Sequence, residues 1–487
     1  MSLDHGALYR AFRARDARFD GRVFVGVRTT GVYCRPICPA RTPRRENMTF
    51  FPSAAAAQEA GFRPCLRCRP ETAPELAAWR GTSNTVARAL PLIELGALDE
   101  AGVDSLASRL GVGERQLRRL FRQHLGASPV AVAQTRRVLL AKQLLHETSL
   151  PMADVAMASG FGSIRRFNET FQHLFGRAPG ALRRVGAAAA RSPDGEVSIR
   201  LAYRPPYDWP AMLAFLEARA IPGVEHVAEG VYRRTIEIGG RHGVIAVTPE
   251  SQETVRVVVQ LPALPALPAI VARVRRLFDL AADPCAIAAH LSEDALLAPL
   301  VAARPGLRVP GAWDPFETAV RAILGQQVSV PAAVSLSGRL VTRCGEPLGS
   351  GNGRPGVLTH VFPSPARVAR ADLSRLGVPG ARAAAIASLA AALVERPRLL
   401  DAGRDLDEAV ELLRSLRGIG DWTAQYIAMR ALGEPDAFPA GDAGLVRAVS
   451  NQVGRQPTPA ELVARAEAWR PWRAYAVLHL WTSLGSS

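Results

Sequence analysis

Lysine is nearly absent: Lys142 is the only one among 487 residues, and the remaining basic side chains are almost all arginine. Side-chain amine chemistry, a Schiff base above all, is therefore confined to one position. Long apolar runs are missing too. The stretch 257–274 comes nearest, but Gln260, three prolines and Arg273 break it, so it does not read as a membrane span. Met1 to Arg10 holds acid, histidine and tyrosine without an apolar centre, so no secretory signal is expected. Cysteine is sparse: of six in all, four precede residue 70 and only Cys285 and Cys344 follow. Paired cysteines without a signal fit a reducing cytoplasm and metal binding rather than disulfides.

Positive charge is what the chain has in excess. The formal net charge is +16 and the sequence pI about 10.7, which predicts a polyanionic partner. The basic residues are spread over globular-looking segments instead of one amphipathic helix, which argues for nucleic acid over a membrane surface. The length calls for two to four domains.

Cys34-x3-Cys38 and Cys65-x2-Cys68 are two short pairs, as one tetrahedral thiolate zinc site requires. Spacing alone leaves a purely structural knot open. The flanking residues add more. Arg28-Thr29-Thr30-Gly31-Val32-Tyr33-Cys34-Arg35-Pro36-Ile37-Cys38, followed by Gly61-Phe62-Arg63-Pro64-Cys65-Leu66-Arg67-Cys68, resemble the N-terminal zinc domain of Ada adaptive-response proteins. That resemblance implies one Zn2+ on four thiolates, with Cys34 as irreversible acceptor of a methyl group from a DNA methylphosphotriester. Cys38, Cys65 and Cys68 would support it, and Thr30, Arg41 and Arg67 would line the DNA side. Four thiolates on zinc carry about −2, which keeps sulfur nucleophilic without a general base. Methylation leaves about −1 and weakens the repulsion of DNA phosphate, which is how this family couples damage to promoter binding. No Pro-Cys-His-Arg motif is present, so the O6-methylguanine transferase half of full-length Ada proteins is not expected.

Residues 85–184 read as helices, and one pattern occurs twice: short helix, glycine turn, basic helix. The first copy runs from Asp104, turns at Gly111-Val112-Gly113 and continues as Glu114 to Leu125. The second starts near Met152, turns at Gly160-Phe161-Gly162 and continues to Phe175, with Ser163 as N-cap. Val130 to His146 is the helix expected to join them. Arg115, Arg118, Arg119 and Arg122 on one basic helix, and Arg165, Arg166 and Asn168 on the other, can meet phosphates and base edges. Basic helices of an ordinary bundle would look the same. The tandem arrangement, with Phe167, Phe171 and Phe175-Gly176-x-x-Pro179, resembles the AraC-type DNA-binding domain, and Arg115 and Arg119 face DNA by that match.

After residue 195 the period becomes alternating. Val197 to Tyr203, Val231 to Ile238, Gly243 to Thr248 and Thr254 to Leu261 read as strands of one antiparallel sheet under a helix from Trp209 to Ala220. From Leu277 the pattern is helical. Leu416-Arg417-Gly418-Ile419-Gly420-Asp421-Trp422 has helix-hairpin-helix form, with Gly418 and Gly420 able to expose backbone N–H groups to phosphate. The loop Phe438-Pro439-Ala440-Gly441-Asp442 then delivers one carboxylate, for which a plain N-cap is the alternative reading.

Hairpin, loop and aspartate together resemble the helix-hairpin-helix DNA glycosylases, and residues 197–487 resemble the AlkA type, 3-methyladenine DNA glycosylase II. Asp442 would then be the catalytic carboxylate, with Trp422, Tyr426, Trp481 and Phe215 around the flipped base. Trp422 stands where strand-cutting relatives carry a Schiff-base lysine, which implies a monofunctional enzyme. Gln327 replaces an apolar wedge, and Thr482 replaces an aromatic next to the pocket tryptophan. The expected fold is multidomain α+β: a zinc domain at 1–80, an all-α tandem helix-turn-helix domain at 84–185 and a linker at 186–196. A β-rich subdomain at 197–280 and a helical glycosylase body at 281–487 complete it. Double-stranded DNA, damaged and promoter, is the expected partner of a cytoplasmic monomer.

Overall fold

A computed structural model describes residues 5–74, 84–99, 101–183, 196–260, 264–349, 357–401 and 404–485. The expected linker segment 186–195 and the turn Gly81-Thr82-Ser83 lie outside the described residues. The chain packs as two compact units, Met1–Tyr203 with Ala263–Ala272, and Arg204–Pro262 with Arg273–Ser487. No described helix is long and apolar enough to cross a membrane.

The first unit opens with helix α1 (His5–Arg13) and a four-stranded sheet in the order β3-β1-β2-β4. Its strands are β1 (Phe24–Val27), β2 (Val32–Cys34), β3 (Met48–Phe51) and β4 (Arg63–Pro64), with helix α2 (Ala54–Glu59) after β3. Strands β1 and β2 pair antiparallel, while β2 and β4 run parallel with Tyr33 opposite Pro64. Cys34 closes β2 and Cys65 directly follows β4, so this pairing sets the two halves of the cysteine motif side by side.

Six helices follow. Helix α3 (Asn84–Glu94) precedes α4 (Val103–Arg109) and α5 (Glu114–Leu125), which coincides with the expected basic helix. Gly126, at φ 68°, ends α5 in the left-handed conformation that favours glycine. Helix α6 (Pro129–Glu147) starts one residue before the expected Val130. Proline suits the first helical turn, and the Ser128 hydroxyl caps the helix by accepting from the Ala131 N–H. Helices α7 (Met152–Ala158) and α8 (Ile164–Phe175) form the second copy, with Ser163 capping α8 as its sequence predicted. Phe167, Phe171 and Phe175 follow the i, i+4 spacing of one buried face of α8, with ring centres 4.8 and 5.3 Å apart, and Phe161 from the preceding turn meets Phe167 edge-on at 5.3 Å. Strand β5 (Val197–Ala202) ends the continuous part of the unit.

The second unit holds an antiparallel meander of β6 (Glu225–Ala228), β7 (Val231–Ile238), β8 (Arg241–Pro249) and β9 (Thr254–Gln260). Strand β6 was not expected from the sequence. It lacks an alternating pattern and exists because Glu225 pairs in register with Arg234 of β7. Helix α9 (Trp209–Glu217) stops three residues short of the expected Ala220, ahead of Pro222, which disfavours helical geometry before it. The rest is helical apart from a short strand pair, Glu346–Pro347 against His360–Val361. The helices that carry the site are α10 (Pro315–Leu324), α11 (Val330–Cys344), α12 (Gly380–Glu395), α13 (Asp421–Ile427), α14 (Ala443–Val453) and α15 (Arg473–Ser483).

A buried charge cluster joins the meander to α10. Arg234 of β7, only 2% exposed, pairs with Glu317 at 2.7 Å, and Arg321 pairs with Glu317 at 3.0 Å and with Glu225 at 2.8 Å. The Tyr232 hydroxyl donates to Glu225 at 2.6 Å. Two guanidinium groups and two carboxylates balance, so every buried charge has a partner. We expect Arg234→Met, which leaves carboxylate charge uncompensated, to lower the unfolding free energy of the second unit by about 3–5 kcal/mol. Equilibrium urea unfolding measures the difference.

Candidate functional site

The sulfurs of Cys34, Cys38, Cys65 and Cys68 lie within 4.8 Å of one another, and all four residues are buried. Tetrahedral Zn–S bonds of about 2.3 Å place sulfurs about 3.8 Å apart, so the cluster fits one zinc ion with no carboxylate or histidine needed. Backbone amides distinguish the four. The Arg35 N–H donates to Cys68 Sγ at 3.3 Å and the Arg67 N–H to Cys65 Sγ at 3.4 Å, while Cys38 receives the Ala40 N–H. Among the described residues none points at Cys34. Each donated hydrogen bond stabilises a thiolate and dampens it as a nucleophile, so Cys34 is the least restrained of the set. Exposure does not single it out: Cys34 is 5% exposed, Cys65 and Cys68 each 7%. Thr30, Arg41 and Arg67 are exposed on this module. Arg35 is not. Its guanidinium is buried against Asp20 and donates to the Cys68 carbonyl (3.2 Å) and the Thr72 hydroxyl (2.7 Å), so it fixes the second cysteine loop.

Lys142, the single lysine, is fully buried on α6 and reaches back into the cysteine module. Its ammonium donates to the Cys65 carbonyl at 3.1 Å and pairs with Glu71 at 2.5 Å. Glu71 also meets His146 of α6 at 3.4 Å and Arg69 at 3.2 Å, and Arg69 continues to Glu147 at 2.8 Å. Burial pushes the Glu71 carboxyl up, but hydrogen bonding to His146 and the charge of Lys142 outweigh it and hold the carboxyl at about 2. Burial likewise lowers Lys142, against the pull of Glu71. This junction ties the metal centre to the helix that joins the two helix-turn-helix copies. Sequence reasoning missed it, because a 71-residue separation between Glu71 and Lys142 leaves no local pattern.

On the basic helices Arg115, Arg118, Arg119, Arg122, Arg165, Arg166 and Asn168 are all exposed. Arg118 pairs with Glu114 (2.5 Å), Arg165 with Glu169 (2.7 Å), and Arg119 donates to Gln116 (3.0 Å). Arg122 instead pairs with Glu59 of α2 at 2.5 Å, a second tie between cysteine module and helices. Arg115 and Arg166 make no ion pair among the described residues, so their guanidinium groups are open to an outside acceptor.

In the second unit the chain brings Trp422, Tyr426, Asp442 and Trp481 together. The Trp422 indole N–H donates to Asp442 Oδ2 and the Trp481 indole N–H to Asp442 Oδ1, each at 2.8 Å. Oδ1 also accepts the Leu445 N–H at 2.9 Å, which makes Asp442 the N-cap of α14. The N-cap reading of this residue is met, and the same carboxylate lies between two indoles. Gly444 permits the approach, because a Cβ there would stand 3.1 Å from Asp442 Oδ1 and 3.5 Å from the Trp481 ring. Trp422 and Tyr426 stack at 5.3 Å and 18°, and Tyr426 lies 6.4 Å from Trp481.

Phe215 joins this group through arginine. Arg430 stands 4.6 Å over Phe215 and donates to the Tyr426 hydroxyl at 2.8 Å, and Arg219 covers Phe215 at 3.8 Å. Burial pushes the Tyr426 phenol up, but Arg430, Arg219 and Arg321 outweigh it and leave it below its ordinary value. Arg430 and Arg219 are residues that sequence reading did not single out. Arg430 sits on the π-helical turn Ala428–Leu432 that extends α13, an irregularity no sequence period announces. Thr482 spends its hydroxyl on its own helix, donating to the Leu478 carbonyl at 2.8 Å.

The hairpin before α13 is tight at one glycine and open at the other. Gly418 has φ 78°, and a Cβ there would stand 2.5 Å from the Ala385 side chain. Gly420 caps α13 without any side chain, and the space above it is empty within 4 Å, which leaves the first-turn amides accessible. Gln327 is exposed and holds φ 54°, a left-handed conformation rare outside glycine.

Comparison with known proteins matches these sites in order. Family profiles match the metal binding domain of Ada over residues 7–71, a helix-turn-helix domain over 106–185, the AlkA N-terminal domain over 198–314, and an HhH-GPD superfamily base excision DNA repair protein over 320–474. The chain is 45% identical over 487 residues to a Mycobacterium tuberculosis protein named a probable bifunctional transcriptional activator/DNA repair enzyme AlkA, covering 99% of this chain and 97% of that one. It is 38% identical over 289 residues to the DNA-3-methyladenine glycosylase 2 of Escherichia coli, covering 58% of this chain and 97% of the other. Among solved structures, a 3-methyladenine DNA-glycosylase from Archaeoglobus fulgidus aligns with a TM-score of 0.51 at 25% identity, over 58% of this chain and 97% of that one.

The buried junction yields one stability prediction. Lys142→Met strands the Glu71 carboxylate and should cost the first unit about 3 kcal/mol or more, whereas Lys142→Met with Glu71→Gln removes both charges and should recover most of that loss. Thermal unfolding of the zinc-loaded chain compares the two.

Proposed function

The chain belongs to the Ada–AlkA family of bifunctional transcriptional activators and DNA repair enzymes, and from that premise we propose that it handles alkylated DNA at two separate centres. The observation that carries this reading is the Asp442 carboxylate held between two indoles beside Tyr426.

At that centre the enzyme is a monofunctional DNA-3-methyladenine glycosylase. An alkylated base is electron-poor, and a base swung out of the duplex stacks on Trp422 and Tyr426 with Trp481 at its edge. Breaking the C1′–N bond leaves the electron pair on the departing base and positive charge on the sugar. Asp442, fixed by Trp422, Trp481 and the Leu445 amide, stabilises that charge and orients the water that adds to C1′. The second unit contains no lysine, so no amine attacks the sugar and the product is an abasic site. Gly418 and Gly420 hold the DNA backbone, and Gln327 faces the stack.

At the other centre Cys34 Sγ attacks the methyl carbon of a methylphosphotriester, the C–O bond breaks, and the phosphodiester leaves as an anion. Bound zinc supplies the thiolate state of the ligands, so no general base is required. Thr30, Arg41 and Arg67 border this centre. Arg115 and Arg119 of the first helix-turn-helix, with α8 of the second, read promoter DNA. Two recognition helices in one chain need no second copy, which supports a monomer on double-stranded DNA. The unbridged cysteines support a cytoplasmic setting. The functional segments proposed are 1–80, 84–185, 186–196, 197–280 and 281–487.

Asp442→Asn should lower release of alkylated base from methylated duplex by about a hundredfold or more, measured at stated salt. Unchanged release would remove the role given to Asp442. Incubation with methylphosphotriester DNA should add one methyl mass to the peptide containing Cys34, and Cys34→Ser should abolish it.

A further inference from the structure

Swinging a base out of a duplex leaves a hole in the stack, and a side chain held next to the phosphate grip is what fills it. In the second unit the corner between α10 and α11 carries the side chains suited to this. Gln327 and Val328 are exposed there, Val328 at 37%, and Gln327 is held at φ 54°. A strained, exposed tip keeps its geometry only if its base is fixed from elsewhere.

The fixing comes from Gln326. Its single amide nitrogen, with two N–H bonds, donates to the Gly418 carbonyl and to the Thr423 hydroxyl, both at 3.0 Å. Gly418 is the crowded glycine of the hairpin, against Ala385 of α12. Thr423 follows Trp422, the residue that donates to Asp442. One side chain therefore joins the exposed corner, the backbone hairpin and the helix that carries the aromatic pocket. From this juxtaposition we infer that Gln326 is a positioning residue, which locks the corner bearing Gln327 onto the hairpin so that the gap is filled as the base enters the pocket. The chemistry specifies glutamine. Glutamate has the same shape but offers no donor and sets an anion against a carbonyl oxygen, and leucine offers neither. Neither change touches the Asp442–indole contacts.

This inference rests on the glycosylase reading, and its test separates the two. Gln326→Glu and Gln326→Leu are compared with the unaltered full-length protein on one alkylated oligonucleotide, presented as duplex and as single strand. A second readout is the fluorescence of 2-aminopurine beside the lesion, which rises when the stack opens. Excision from duplex and the fluorescence rise should each fall about tenfold in both variants, while excision from single strand, where no gap needs filling, stays within twofold of the unaltered protein. Equal losses on both substrates, or no loss on duplex, would overturn the positioning role. An unaltered protein that excises neither substrate would instead overturn the glycosylase reading.

Discussion

The Asp442 carboxylate holds three parts of the second unit at once. One oxygen takes the Trp422 indole, the other takes the Trp481 indole and the first turn of α14. Indole N–H groups and a helix N-terminus are neutral donors, so they orient an anion without cancelling its charge. An arginine in their place would have formed an ion pair and neutralised the carboxylate. The arginines nearby, Arg430 and Arg219, contact Tyr426 and Phe215 instead. These fixed positive charges thus bear on aromatic rings rather than on the carboxylate, and the site keeps both aromatic faces and an anion.

The first unit solves a different problem with the same economy of residue types. A tetrathiolate centre carries negative charge that must sit near DNA phosphate, and the surrounding arginines divide their labour. Arg35 is turned inward to brace the Cys68 loop, while Arg41 and Arg67 stay at the surface. The amide pattern makes a similar division among the sulfurs, with three receiving backbone N–H groups and Cys34 receiving none among the described residues. Lys142 and Glu71 then bind this centre to α6 through a pair buried from solvent.

Local chemistry was readable in the chain and long-range partnership was not. The bounds of α5 and α8 follow from Gly113, Gly126, Ser163 and Gly176, each of which acts within its own turn. Strands β7 and β9 follow from alternation. By contrast β6 depends on a register with β7, and the ends of α6 and α9 depend on prolines that favour one helix start and oppose another helix's continuation. At the sites, the cysteine spacing carries its own geometry, and the aromatic set around Asp442 was reached through family resemblance rather than through any period. The partnerships of Arg430, Gln326 and Lys142 were invisible because their partners lie far along the sequence or on irregular backbone, as Pro310 and Glu71 show.

A chain whose one lysine is sealed inside it has an unusual surface reactivity. In the folded protein every exposed side-chain cation is a guanidinium or an imidazole, and Lys142 offers no accessible area. Imine-forming reagents then find no side-chain amine at the surface. Capture of the Lys142 amine by such a reagent becomes a clock for parting of the seam between the sulfur cluster and α6, with no probe introduced.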